Sequence, residues 1–304
     1  MSAPETPSDQ PTDYGAWFAF GIMSVCMSLS FVFVKLSLEG FSLAQSVGGR
    51  LVIGAVFLIP LAYVFGDGLP RKRWFWKWSL ALAMMNFVLP FSLMTYGQSF
   101  LPSNVTGAMF SLIPLTTIGL SAAFLGVHIT GRKLGGLFIG FLGLVVITEP
   151  SKWVGSTGLE HALPMLATLG AIFCFACAAI LMRIMPRVNP LSLMAGSAVI
   201  ASVFGILPFA SIFDGELPPL RPWIGLLGIS ILSTTIAYSL RFYLIRRKGP
   251  VFLAPNAYFG VILVNVFGVG IMGDAITLAM MIAFPLIVLG LVIAQDGSGN
   301  MKQV

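Results

Sequence analysis

Apolar runs of about twenty residues, parted by short polar links, recur along nearly the whole chain. Ten are readable: Gly15–Leu38, Leu43–Phe65, Trp78–Gly97, Asn104–Leu125, Lys133–Thr148, Leu163–Met185, Pro190–Ile212, Trp223–Ile245, Val251–Met272 and Ile276–Gln295. About twenty apolar residues in a helix cross roughly 30 Å of hydrocarbon. The runs are continuously apolar rather than alternating, which predicts helices and not the strands of a membrane barrel. The pattern therefore predicts an all-α membrane protein with ten transmembrane helices. Residues 1–14 read as a cytoplasmic tail, 15–148 as a first group of five helices and 149–162 as a periplasmic link. Residues 163–295 read as a second group of five, and 296–304 as a closing cytoplasmic tail.

The second group repeats the first at a shift of 147 positions. Gly126, Ile129 and Thr130 in the link after the fourth run return as Gly273, Ile276 and Thr277 after the ninth. Leu142-Gly143-Leu144-Val145 returns as Leu289-Gly290-Leu291-Val292. In the same register Trp76, Leu80, Ser92 and Tyr96 stand over Trp223, Leu227, Ser239 and Tyr243. Basic residues set the orientation. With a cytoplasmic N-terminus, the inner regions hold Arg71, Lys72, Arg73, Lys77, Arg132, Lys133, Arg183, Arg187, Arg246, Arg247, Lys248 and Lys302. The outer links hold Lys152 and Arg221. That bias predicts both termini in the cytoplasm. An odd number of helices per unit then turns the second unit upside down, so the prediction is two inverted five-helix repeats, an architecture that serves alternating access.

Composition narrows the class. Of 304 residues, 57% are hydrophobic and 9% charged, far below the quarter that wets a soluble domain. The net charge of +6 is accounted for by the orientation signals, so no nucleic-acid partner is predicted. Residues 1–13 hold three prolines and three acids with no Lys or Arg, unlike the basic start of a cleaved signal peptide. Cys26, Cys174 and Cys177 lie inside apolar runs and read as core residues. His128 and His161 are isolated in links, so no metal site and no cofactor are expected. Trp17, Trp76, Trp78 and Trp223 sit at span ends as interfacial anchors.

Two groups of five helices, each closing on a helix–Gly-x-x-Ile-Thr–helix hairpin, with Ile113-Pro114 inside the fourth helix, resemble the EamA-type drug/metabolite transporters. Arg50 in Gly49-Arg50-Leu51 and Lys35 near the end of the first helix fit the same resemblance, which covers about Trp17 to Ala294. The chain departs from the family at two places. The hairpins carry Gly126-Val127 and Gly273-Asp274 where the family usually has Gly-Glu, and Val261 stands where Pro114 would repeat. The resemblance implies secondary transport of small organic molecules across a bacterial inner membrane, often export of amino acids or related metabolites. It also implies a cavity among the first, third, fourth, sixth, eighth and ninth helices.

All eleven acids fall in tails, links or helix ends. A proton relay or an organic-cation site at the bilayer centre calls for a carboxylate there, so the expected substrate is neutral, zwitterionic or anionic. Arg50 lies about 10 Å into its helix at 1.5 Å per residue. Its fork either grips a carboxylate or phosphate or braces neighbouring helices. Lys35 is read as snorkelling outward, and Arg241 as snorkelling or facing the path. The candidate substrate-binding residues are Arg50, Asn86, Tyr96, Tyr238, Arg241, Asn256, Tyr258 and Asn265, each a polar group that needs a partner helix or a wet cavity. No Gly-x4-Gly-Lys-Ser/Thr loop is present and no catalytic pair is visible, so neither direct ATP drive nor an enzyme is expected. The reading is a secondary transporter for a small-molecule substrate, an exporter, able to work as a monomer within the lipid bilayer. A passive channel or a lipid-moving protein is the alternative.

Overall fold

In the computed structural model the described residues are 13–125, 130–147, 158–248, 250–253 and 256–295. The link residues Gly126, Val127, His128 and Ile129, most of the link after the fifth run and both terminal tails lie outside them. Among the described residues the chain is helical with no strand. The rods are α1 Tyr14–Leu38, α2 Leu43–Phe65, α3 Arg73–Phe100, and α4, which is Ser103–Phe110 followed by Ile113–Leu125. They continue with α5 Gly131–Ile147, α6 Gly158–Ile184 and α7 Pro190–Ala210. α8 joins Leu220–Leu227, Gly228–Ile236 and Ala237–Lys248; α9 is Asn256–Met272 and α10 Leu278–Gln295. Seven of these rods are long and apolar enough to cross a membrane, and α5, α9 and α10 contain shorter apolar stretches.

Packing follows the duplication. α2 lies on α7 and α5 on α10; α3 on α6 is matched by α8 on α1, and α1 on α9 by α6 on α4. Each contact maps onto another, or onto itself, when first-unit helices are exchanged for second-unit ones. The repeated Leu-Gly-Leu-Val shows why it is repeated. A Cβ on Gly290 would stand 2.6 Å from the Gly136 carbonyl oxygen and the Gly140 nitrogen. A Cβ on Gly143 would meet the equivalent backbone, 3.1 Å from the Ala283 carbonyl oxygen and the Ile287 nitrogen. Two helices touch backbone to backbone here, and only glycine leaves room. The repeated Thr277 accepts the Met280 N–H at 3.3 Å and starts α10 as its cap.

Two wide π turns mark the same place in each unit, Ala83–Val88 in α3 and Gly228–Ile236 in α8. In α8 the hydroxyls of Thr234 and Thr235 donate to carbonyls five residues back, Ile229 and Ser230, at 2.8 and 3.0 Å. The units differ where the sequence differs. Pro114 has no N–H for the Phe110 carbonyl, and α4 breaks there through tight i to i−3 bonds from Ser111 and Leu112. With Val261 at the repeated position, α9 runs unbroken.

At the end of the bundle where α1 begins, here the tail end, Asp13 caps α1 by accepting the Ala16 N–H at 3.1 Å. It also pairs with Arg247 at 2.8 Å and Lys248 at 3.1 Å on α8. The cap and the two cations hold the Asp13 carboxyl down from the ordinary 3.8 to about 2. A depressed carboxyl stabilises the fold above its unfolded value, and the contribution disappears as pH falls through the folded one. Thermal unfolding of the native chain is therefore expected to lose stability between about pH 4 and pH 2. Asp13→Asn should flatten that part of the pH profile, and superimposable profiles would contradict the assignment.

Candidate functional site

Arg50 is carried into the interior by α2, whose start is fixed by a capping box between Ser42 and Gln45. The residue is 4% exposed. Its guanidinium carbon lies 3.4 Å from the centroid of the Phe91 ring on α3, and its Nε donates to Thr234 Oγ1 on α8 at 3.0 Å. Nη1 is buried with no hydrogen-bond partner among the described residues, and no carboxylate there pairs with the guanidinium. Cation–π contact contributes about 2 kcal/mol when desolvated. A buried charge with an idle donor costs several kcal/mol unless something of opposite charge arrives.

Both π turns flank this arginine. Phe87 belongs to the first and Thr234 to the second, and the 147-residue register pairs those two positions and also pairs Phe91 with Tyr238. Tyr238 stacks on Phe87 with centroids 6.3 Å apart and lies within electrostatic reach of Arg50. From Phe91 an aromatic column runs to Phe175 on α6, Phe110 on α4 and Phe31 on α1, in steps of 6.2, 5.9 and 5.2 Å. Gln98 on α3 closes it, donating to the Phe31 carbonyl at 3.0 Å while its own side-chain oxygen is buried without a partner among the described residues. π turns concentrate at functional sites because they re-aim side chains within a helix. Here the second supplies the Thr234 hydroxyl to the guanidinium, and Phe91, three residues beyond the first, supplies its aromatic face.

The sequence-derived candidates do not all meet at this place. Arg50 and Tyr238 do. Asn86 is buried on the α3 π turn but turns to α7, its Nδ2 lying 3.6 Å from Met194 Sδ. Tyr96 stands further along α3, edge-on to Phe100 at 5.3 Å. Arg241 is exposed, one turn from Tyr238. Asn256 accepts from Ser24 on α1 at 2.8 Å, and Asn265 is half-buried and engaged on α9. Tyr258 lies on α9 with its side chain outside the described residues. Phe87, Phe91 and Thr234 are not among the candidates, whereas Gln98 is one of the polar groups that the sequence places on a cavity helix. The repeat register was the signal available for Phe91 and Thr234, as partners of Tyr238 and Phe87.

Thr234→Val keeps the shape but removes the acceptor for Nε, leaving a second idle donor in the interior. The expected cost is about 1–3 kcal/mol, read as a lowered melting temperature in detergent. Thr234→Ser should restore most of it, whereas equal melting of the valine variant would contradict the contact.

Comparison with known proteins bears on the fold and the class. The EamA-like transporter family matches residues 14–149 and 162–294, one match per unit. An uncharacterised transporter of Archaeoglobus fulgidus is 27% identical over 76% of this chain and 81% of its own length. The uncharacterised inner membrane transporter YedA of Escherichia coli is 22% identical over 93% and 90%. A protein of Chlamydia muridarum named as an S-adenosylmethionine/S-adenosylhomocysteine transporter is 24% identical over 90% of each chain. A solved crystal structure, 18% identical and covering 93% of this chain and 97% of its own, superposes with a TM-score of 0.64. It shares the fold.

Proposed function

The chain belongs to the EamA-like transporter family, and we propose that it is a secondary carrier of the inner membrane that exports a small metabolite bearing a carboxylate, such as an amino acid. Arg50 carries the reading. A guanidinium that is buried, stacked and held at Nε, yet idle at Nη1, is poised for a mobile anion rather than for a fixed partner. Ten spanning helices as two inverted five-helix units, with both termini cytoplasmic, give the framework. The basic residues at the ends of the helices support that orientation. Arg50 and Thr234 join the two units at the level of the π turns, where inverted repeats place their shared substrate site. The aromatic column crosses α1, α3, α4 and α6, and Tyr238 of α8 stacks on Phe87 beside it, so five of the six helices expected to line a path contribute. One relative is named for transport of S-adenosylmethionine and S-adenosylhomocysteine, both amino-acid derivatives.

Proteoliposomes loaded with a labelled amino-acid pool test the substrate class. Efflux is expected to saturate and to be competed by free carboxylates but not by the corresponding amides. Equal competition by the amides would remove the anion from the recognition, and with it the role given to Arg50.

A further inference from the structure

At the end of the bundle opposite Asp13, where Glu39 and Arg221 form an exposed ion pair at 3.3 Å, a partly buried carboxylate of one unit caps a helix of the other. Asp274, in the turn between α9 and α10, accepts from the Ser103 hydroxyl and from the Asn104 backbone N–H, the latter at 3.1 Å. It thereby caps the start of α4, which belongs to the other unit, while the Asn104 side chain donates back to the Ala275 carbonyl at 3.2 Å. The turn is shaped for this. Gly273 takes φ +70 and the Asp274 N–H returns to the Gly268 carbonyl at 3.0 Å. A Cβ on Gly268 would stand 3.0 Å from the Asp274 carboxylate and 3.2 Å from both Ser103 Oγ and Asn104 Cβ. One turn further in, Gly107 of α4 lies directly under the Val264 side chain of α9. Lys35 on α1 lies within electrostatic reach of Asp274.

The duplication supplies the control. At the shift of 147 residues Asp274 becomes Val127, and Ser103 and Asn104 become Pro250 and Val251. Those positions therefore carry neither the carboxylate nor the hydroxyl of this cap; the tail end joins the units instead through the ion pairs of Asp13 with the exposed Arg247 and with Lys248, contacts that solvent weakens. Two related units that exchange shapes around a shared site would have near-equal energies in the two states if their closures were alike. Here they are not alike.

We propose that Asp274, Ser103 and Asn104 form a one-sided latch between α4 and the α9–α10 turn that biases the carrier toward closure at their end of the bundle. The latch goes beyond the substrate reading and needs no substrate to be seen. In the proposed orientation it closes the outer face, so the resting carrier is open to loading from the cytoplasm.

The test is thiol labelling at Val264→Cys, which lies beneath the latch at 2% exposure, in a background where Cys26, Cys174 and Cys177 are replaced by alanine. A membrane-impermeant maleimide is applied to intact cells and to inside-out vesicles. From the face that carries the latch, labelling is expected to be slow, and Asp274→Val to accelerate it about tenfold, the size of a lost charge-assisted hydrogen bond. Ser103→Ala gives a smaller rise and serves if Asp274→Val is poorly expressed. Ser24→Cys, sealed between α1 and α9 toward the tail end, reports on general loosening and should keep its rate. An unchanged rate at position 264 overturns the latch, and so does an equal acceleration at position 24. Neither outcome touches the substrate reading, which stands or falls on competition by carboxylates.

Discussion

Arg50→Met is expected to leave the protein folded, with a melting temperature equal to or above that of the native chain, while transport of carboxylated substrates falls on the order of a hundredfold. The two halves of that result come from the same physics. The native guanidinium has Phe91 on its face and Thr234 at Nε, but Nη1 is idle and no carboxylate stands opposite it among the described residues. Replacing buried charge with an apolar side chain of similar length is often neutral or stabilising by about 1–4 kcal/mol. A substrate carboxylate, by contrast, would lose the guanidinium proposed to hold it. Arg50→Lys keeps the charge and discards the fork, so an intermediate loss is expected. If the arginine were only a brace, both variants would melt early and residual transport would track the amount of folded protein. Measuring melting and kcat/KM on the same preparations separates the cases.

Gly290→Val is expected to have the largest effect on stability. Its Cβ would meet backbone atoms of Gly136 and Gly140 on α5 at 2.6 Å, and backbone cannot swing aside as the end of a side chain can. The helices would have to part, at a cost of about 1–3 kcal/mol or more, along the seam where α5 and α10 pack. Gly143→Val, its partner under the duplication, should cost a similar amount, because it meets the Ala283 carbonyl and Ile287. Substitution to valine at Gly270, which has open space around its Cβ position, should be mild. Thermal melting by fluorescence-detected size exclusion gives the order. A Gly290→Val protein as stable as Gly270→Val would contradict the backbone contact.

These glycines show which parts of the fold were legible beforehand. The run Leu-Gly-Leu-Val was readable as a repeat, and the repeat was enough to infer two related units. Its reason, a helix crossing too close for a Cβ, is a statement about two backbones and has no trace in one segment. The break in α4 was written at Pro114, and its absence from α9 at Val261. The π turns were not readable, since a wide turn and an ordinary one carry the same apolar composition. Without them the register of α3 against α8 is unknown, and so is which aromatic residue faces Arg50. The sequence therefore offers Arg50 and Tyr238 only as separate polar candidates and gives no sign of Phe91 or Thr234 beside the arginine. Polar residues read singly, such as Asn86 and Asn256, turned to neighbouring helices, as most intramembrane amides do. Asp274 was visible as an acid at a helix end. Its partners sit 170 and 171 residues away in sequence, and no local pattern announces them.

The carrier reading itself is tested most directly by counterflow. Purified protein in liposomes preloaded with unlabelled substrate is offered a trace of labelled substrate outside, and the early uptake is compared with that of empty liposomes. A carrier that alternates around one site should take up label faster from the loaded vesicles, accumulate it transiently above the outside concentration, and saturate. Uptake that is linear in concentration and indifferent to the load would contradict alternating access and leave a passive pathway through the same fold.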